Sequence, residues 1–125
     1  MPHNLYDLAA YQRAQDIISA VHKLTRTFPK EELFGLVSQM RRASYSISNN
    51  IAEGLGRLTF GEKRQFLSQA RGSLYEVESQ LMIALQLHYA DEDECADLRV
   101  HIRKCAAALG GYIRWVQNQE RLRKK

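Results

Sequence analysis

The segment from Gln39 to Arg57, QMRRASYSISNNIAEGLGR, constrains the fold more than any other part of the chain. Its apolar residues recur every three or four positions, which is the spacing of a buried stripe on an α-helix. Polar residues recur at similar spacing on a second face. The apolar set is Met40, Ala43, Ile47, Ile51 and Leu55, and the polar set is Arg42, Ser46, Asn50, Glu53 and Arg57. Such a helix needs partner helices on its apolar face, and hydrogen-bond partners, solvent or a ligand on its polar face.

Similar spacing continues on both sides of this segment and predicts four long helices joined by short turns. The first is expected to start at Asp7, as its N-cap, and to end before Pro29, which lacks a backbone donor. The second is expected to begin within residues 30–33 and to continue unbroken for about 25 residues, until Gly54 and Gly56 weaken it.

The third helix opens with a capping box from Thr59 to Glu62, and the fourth follows the acidic turn Asp91–Glu94. Short turns place consecutive helices antiparallel. We therefore predict an all-α fold, an antiparallel up-down-up-down four-helix bundle, with one domain at 1–120 and a basic C-terminal tail at 121–125. Besides the stripe given above, the predicted core consists of Ala10, Ala14, Ile17, Val21, Leu24, Phe28, Leu33, Leu36, Phe66, Ala70, Leu74, Val77, Leu81, Ala84, His88, Leu98, Ile102, Cys105, Ala106, Leu109, Ile113 and Val116.

The formal net charge of the 125-residue chain is +4, and the distribution of this charge matters more than its value. The last five residues contain four bases, so the rest of the chain is balanced. Six bases and two acids lie from Arg41 to Arg71, whereas five acids and no base lie from Asp91 to Asp97. This polarity predicts a basic patch on the hairpin of the second and third helices. The six bases of this patch are Arg41, Arg42, Arg57, Lys63, Arg64 and Arg71.

The basic patch has the composition of a surface that binds nucleic acid. Tyr45 and Tyr75 lie among its arginines, and such a mixture suits single-stranded or looped RNA, whose bases stack on aromatic rings. The other interpretation is a solvated face that only keeps the protein soluble. For Ser46, Asn50 and Glu53 two alternatives also stay open, a binding site or a structural hydrogen-bond network.

No catalytic or metal-binding motif accompanies the patch. The four histidines form no pair spaced by four residues, and there is no phosphate-binding loop, G-x-S-x-G turn or H-E-x-x-H motif. We therefore expect no enzyme activity, no metal and no cofactor. Cys95 and Cys105 would lie about 15 Å apart on one helix, too far for a disulfide. With no stretch apolar enough to span a membrane, we expect a cytoplasmic protein.

The second half of the third helix is apolar on nearly all sides. Met82 and Ile83 point away from the core stripe in opposite directions, and Leu87 extends this surface. Trp115 lies off the stripe of the fourth helix. Because a small chain cannot bury so much apolar surface by itself, these residues predict an interface in a homo-oligomer.

Motifs from the first helix into the fourth resemble those of the 23S rRNA intervening-sequence protein family, a bacterial family of four-helix bundles. The motifs are Phe28-Pro29, Glu32 to Leu36, Gln39 to Ala43, Ser46-Ile47, Asn50 to Gly54, Gly56-Arg57, Ala70 to Leu74 and Glu76. The fold is similar to that of the accessory protein of diversity-generating retroelements, a basic pentamer that binds nucleic acid and a reverse transcriptase. The resemblance implies a ring-like oligomer, with a pentamer favoured, and contact with RNA. It implies no catalytic activity.

The sequence thus predicts a non-enzymatic, oligomeric four-helix-bundle protein that binds RNA or DNA through its basic hairpin. The alternative is a structural scaffold that docks a protein partner through its apolar and acidic surfaces without binding nucleic acid. Retention of RNA or DNA at low salt distinguishes the two.

Overall fold

The computed structural model describes residues 4–124 and confirms an all-α fold with four long helices. The helices are α1 at Ala9–Thr25, α2 at Ser38–Gly56, α3 at Phe60–Gln86 and α4 at Glu92–Arg123. A 3₁₀ turn at Leu5–Asp7 precedes α1. A 3₁₀ turn at Lys30–Glu32 and a π-helical turn at Leu33–Val37 precede α2. α4 continues into the basic C-terminal residues as far as Arg123.

Consecutive helices pack side by side in opposite directions, and α4 closes the bundle by packing on α1. Thr25 at the end of α1 contacts Arg41 near the start of α2. Arg64 near the start of α3 contacts Glu120 near the end of α4. Because only residues 57–59 connect α2 to α3, these two helices are also antiparallel neighbours, and they form the largest helix–helix contact.

Side-chain caps define the starts of α3 and α4, but the capping box predicted from Thr59 to Glu62 forms only in part. The Glu62 carboxylate accepts from the Thr59 hydroxyl at 2.9 Å and not from the Thr59 backbone N–H. The Thr59 hydroxyl accepts a hydrogen bond from the Glu62 backbone N–H at 3.2 Å. Asp91 and Glu94 form a full capping box, in which each side chain accepts from the other residue's backbone N–H. These bonds satisfy backbone donors that have no partner inside the helix.

The predicted N-cap of the first helix is wrong. Asn4, not Asp7, has the capping side chain, and it accepts from the Asp7 backbone N–H at 3.1 Å to form the 3₁₀ turn. α1 starts only after Leu8, whose side chain makes no capping bond. The earlier polar residue therefore nucleates a separate turn that ends at the residue expected to be the cap.

The predicted second helix is broken near its start, and regular α-helix begins only at Ser38. Gly35 has φ −111° and ψ −111°, which lies outside the helical region. Glu32 accepts from the Leu36 backbone N–H at 3.2 Å and so caps the irregular turn. As a result Leu33, predicted to be in the core, is 49% exposed, and Phe34 is 92% exposed.

One hydrophobic core fills the bundle, and most residues of the predicted stripes are buried in it. On α3, however, Leu67 is fully buried and Phe66 only partly, and on α4 Ala106 is exposed while Tyr112 is buried. An apolar stripe drifts around a long helix because 3.6 residues per turn do not match a strict heptad. The core therefore departs from the predicted stripe at the start of α3 and in the middle part of α4, whereas the other predicted positions of these helices are buried.

His88 was also predicted in the core, and this is wrong. α3 ends at Gln86, and His88 follows with φ 60°, a left-handed conformation that ends the helix. Its side chain is exposed. The chain turns here instead of continuing the stripe for one more helical turn.

Candidate nucleic-acid interface

The polar face of α2 lies against α3, where Ser46 and Asn50 form a hydrogen-bond network. The hydroxyl oxygens of Ser46 and Ser73 are 2.8 Å apart. The Asn50 amide donates to the Ser46 backbone oxygen at 2.9 Å and to the Ser46 hydroxyl at 3.0 Å. All three residues are half-buried, so the network joins α2 to α3. This geometry favours the structural interpretation of Ser46 and Asn50.

Arg57, which follows α2, is held by two acidic side chains and one aromatic ring. Its guanidinium lies 2.6 Å from the Glu53 carboxylate and 4.0 Å from that of Glu62. It also lies 4.5 Å from the centroid of the Phe66 ring, a cation–π distance. Glu53 therefore pairs within the protein, and a phosphate group would have to compete for Arg57.

Lys63 and Arg64 also form contacts within the bundle. The Lys63 ammonium donates to the backbone oxygens of Leu55 at 2.9 Å and Gly54 at 3.3 Å, at the carbonyl end of α2. Burial lowers the pKa of Lys63. Arg64 forms an ion pair with Glu120 at 3.0 Å, which joins α3 to α4. Lys63 thus caps a helix, where a cation is favourable.

The remaining three arginines of the patch differ in their contacts. Arg41 is half-buried, and its Nε donates to the Thr25 hydroxyl at 3.1 Å. Arg42 and Arg71 are exposed, and neither forms an ion pair with any residue in 4–124. The structure therefore does not gather the six predicted bases into one surface of unpaired charge.

His22 lies next to the basic patch, and the sequence did not indicate this position. Its Nε2 lies 2.6 Å from the Tyr45 hydroxyl, and the two rings are 5.8 Å apart. Burial lowers the pKa of His22, and the nearby charges of Arg41 and Arg26 lower it further. Both effects favour the neutral imidazole.

A groove with a volume of about 290 Å³ runs between the outer edges of α3 and α4. Leu74, Ile102 and Leu109 form its apolar floor. Arg71 and Tyr75 line it from α3, and the Tyr75 side chain is 65% exposed. The groove therefore combines an apolar floor with a cation and an exposed aromatic ring.

Arg103 lines the same groove from α4, and Glu78 is the acidic residue of its lining. Like Arg71, Arg103 is exposed and forms no ion pair within the described part of the chain. Sequence reasoning missed Arg103 because it is far from the basic patch along the chain. Only the packing of α4 beside α3 brings it into the same groove as Arg71.

Neither cysteine has the environment of a reactive nucleophile. Cys95 and Cys105 are buried on α4 and form no disulfide. Burial, with a smaller contribution from Asp16, raises the pKa of the Cys105 thiol to about 12, so the thiol stays protonated. Within residues 4–124 no group of three His, Cys, Asp or Glu side chains is arranged to hold a metal ion. None of the described helices is both long and apolar enough to cross a membrane.

Three of the four residues predicted at an oligomer interface are on the surface. Met82 is 62%, Ile83 41% and Leu87 47% exposed. Trp115, in contrast, packs partly buried against the core and stacks on Tyr112 with ring centroids 6.1 Å apart. Its side chain therefore lies on the flank of the core and is only partly exposed, and its place in an oligomer interface stays a prediction.

The fold and these surfaces define a small helical-bundle protein with basic and aromatic side chains on its outer face. The family model described as 23S rRNA-intervening sequence protein matches residues 6–111, which include α1 to α3 and most of α4. The chain therefore belongs to this family, and the resemblance of its motifs is confirmed. Comparison with curated proteins gives no match.

Proposed function

We propose that this protein is a non-enzymatic, oligomeric protein of the bacterial cytoplasm that binds nucleic acid, with single-stranded or looped RNA as its preferred partner. RNA is placed first because exposed aromatic rings suit unstacked bases, and because the family description refers to an intervening sequence of 23S rRNA. The observation that carries the proposal is the contrast among the arginines of the patch. Arg42 and Arg71 are exposed without an ion pair in residues 4–124, whereas Arg57 and Arg64 are paired with glutamates.

An unpaired guanidinium can bind a phosphate group without first losing a carboxylate partner, and it can do so through two hydrogen bonds. Tyr45 and Tyr75 are 41% and 65% exposed and offer rings on which bases can stack. Base–aromatic stacking contributes about 1–3 kcal/mol per base. Affinity should therefore combine a salt-dependent part from phosphate contacts and a less salt-dependent part from stacking.

The double variant Arg42→Ala/Arg71→Ala tests the proposal. Fluorescence anisotropy with labelled mixed-sequence RNA and DNA oligonucleotides, measured from low to moderate salt, gives the affinity. If about four phosphates are contacted, the log–log slope of affinity against salt is near −3 on single strands. The double variant loses two contacts, so we expect weaker binding and a slope near −1.5.

Arg121→Ala/Lys124→Ala is the matched control, because it removes the same charge from the C-terminal end of α4. Arg123 is left in place because its guanidinium lies 5.3 Å from the Phe60 ring centroid and belongs to the fold. Lys63 is left unchanged because it caps α2. The proposal is contradicted if the intact protein retains neither RNA nor DNA at low salt, or if only the control variant loses binding.

A scaffold that docks a protein partner is the second candidate function, and exposed apolar side chains favour it. Phe34 is 92% and Leu58 97% exposed, in addition to the apolar residues of α3. The same residues support the proposed homo-oligomer, for which the resemblance favours five subunits. If this protein binds no nucleic acid, docking of a protein partner is the function to test next.

A further inference from the structure

We propose that the groove between α3 and α4 binds one unstacked nucleobase that carries an exocyclic amino group, such as cytosine. This inference rests on the proposed function, because it assumes that the ligand is a nucleic-acid strand. It adds the place where a base is held and the chemical feature by which the base is recognised. It also assigns Arg103 and Glu78, which lie outside the predicted site, to the interface.

The shape of the groove suits a flat, partly apolar group. Its volume of about 290 Å³ is at the low end of the range for small-molecule pockets, roughly 300–1,000 Å³. On the α4 side the lining includes Ala106 and Gly110, whose lack of bulk keeps the groove open above the buried Leu74 and Ile102. A single base therefore fits here better than a larger ligand.

The charges of the groove suit a strand that passes over it. Arg71 on α3 and Arg103 on α4 line opposite sides, and neither forms an ion pair within residues 4–124. Phosphates before and after the inserted base would each meet one guanidinium. Tyr75, 65% exposed, supplies a ring for stacking. Unstacked bases held between aromatic rings and arginines are the usual way in which proteins recognise single-stranded RNA.

Glu78 provides the selectivity. An ionised carboxylate can only accept hydrogen bonds, so it favours a base edge that presents an amino group. Cytosine presents its N4 amino group, whereas uracil presents a carbonyl oxygen in the same position and would leave Glu78 facing an acceptor. With a carboxylate in the groove, oligocytidine should bind more tightly than oligouridine of the same length and charge.

The first test fills the groove without changing any charge. Ala106→Leu places a larger side chain in the groove, and the matched control Ala107→Leu places it on the exposed neighbouring position, which does not line the groove. Anisotropy with single-stranded oligocytidine should show at least a several-fold loss of affinity for Ala106→Leu, an unchanged salt slope, and wild-type affinity for Ala107→Leu. Circular dichroism confirms that both variants are folded.

The second test compares oligocytidine with oligouridine at pH 7.5 in wild type and in Glu78→Gln. The glutamine amide both donates and accepts, so the preference for cytidine should disappear in the variant. Equal affinities of the wild type for the two oligomers contradict the inference, as does wild-type affinity of Ala106→Leu. In both cases the proposed function survives, provided that Arg42→Ala/Arg71→Ala still weakens binding.

Light scattering of Ala106→Leu shows whether the groove binds a nucleobase or is instead a contact between subunits. If the variant loses nucleic acid and also changes its mass relative to wild type, the groove is a contact between copies of the chain, and the inference is overturned. If wild type binds no oligonucleotide at low salt, the inference and the proposed function fail together.

Discussion

Glu32 connects the irregular segment before α2 to the residues that follow α3. Its carboxylate accepts a hydrogen bond from the Tyr89 hydroxyl at 2.7 Å and another from the Leu36 backbone N–H at 3.2 Å. These two bonds lower the pKa of Glu32, the Tyr89 bond more strongly. A Cβ at Gly35 would lie only 2.7 Å from Glu32 Oε1, so glycine leaves room for this carboxylate. One side chain thus supports the break that separates the irregular turn from α2.

We expect Tyr89→Phe to reduce the loss of stability in acid. A carboxyl group whose pKa is lower in the folded than in the unfolded protein stabilises the fold above the unfolded pKa. It loses this contribution as the pH falls through the folded pKa. Between about pH 5 and pH 3, the free energy of unfolding should therefore fall more for wild type than for Tyr89→Phe. Urea unfolding at closely spaced pH values measures the difference.

Tyr6→Phe is the control for this prediction, because Tyr6 is 82% exposed and the same hydroxyl is removed there. In Tyr89→Phe the ring itself remains, so its packing on Phe28, at 5.6 Å between centroids, is kept. Identical acid profiles for wild type and Tyr89→Phe would show that the hydrogen bond does not lower the pKa of the Glu32 carboxyl group and would contradict the prediction.

At the scale of the helices, Gly54 sets how closely α2 approaches α3. A Cβ at this position would lie 3.1 Å from Leu67 Cδ2, and Leu67 is completely buried. Gly72, in α3, is different, since nothing lies within 4 Å of a Cβ placed there. The two glycines therefore have the same helical propensity but different surroundings.

We expect Gly54→Ala and Gly72→Ala to change stability in opposite directions. Alanine is favoured over glycine inside a helix by about 0.5–1 kcal/mol, and Gly72→Ala should gain this amount. At Gly54 the gain is outweighed by overpacking against Leu67, which costs about 1–3 kcal/mol. Urea unfolding of both variants measures the two signs. Stabilisation by both substitutions would show that α2 and α3 can move apart without cost.

At the scale of the whole molecule, the exposed apolar side chains decide whether the protein is a monomer. Ile83 and Leu87 lie near the end of α3, and the irregular turn before α2 exposes Phe34. Isolated apolar side chains are common on monomers, whereas clustered ones mark interaction sites. We therefore expect an assembly of several copies, with five subunits favoured by the family resemblance.

We expect size exclusion with light scattering, at micromolar protein, to give a mass that is a multiple of the chain mass. Ile83→Glu places a charge on the apolar surface of α3 and should lower this mass. Gln86→Glu introduces a carboxylate at an exposed polar position of the same helix and should leave the mass unchanged. A monomeric wild type would contradict the interface prediction, and equal masses for all three proteins would place the interface elsewhere.

Predictions from sequence succeeded where the physical cause is local. Thr59 and Asp91 cap their helices because the bonds they make reach only three residues along the chain. One clear failure, the break before α2, has a distant cause in addition to a local one. The break at Gly35 depends partly on Glu32 and its bond to Tyr89, and no local pattern connects these two residues.

The candidate site shows the same division. The sequence predicted which residues are basic, but the availability of Lys63 and Arg64 depends on partners from other helices. Glu120, on α4, pairs with Arg64 on α3, and the carbonyl end of α2 holds Lys63. The packing of α4 on α3 brings Arg103 into the same groove as Arg71. The charged residues of a chain can be counted from its sequence. Which of them form ion pairs with another helix depends on how the helices pack.

The sequence by itself determined the class of fold, four amphipathic helices whose apolar stripes must be buried together, because helical periodicity and capping act over a few residues. The tertiary structure alone decided that Arg64 is paired with another helix and where the groove lies. Ion pairs and grooves form between side chains that are distant along the chain, and their positions depend on the rotation and register with which the helices pack.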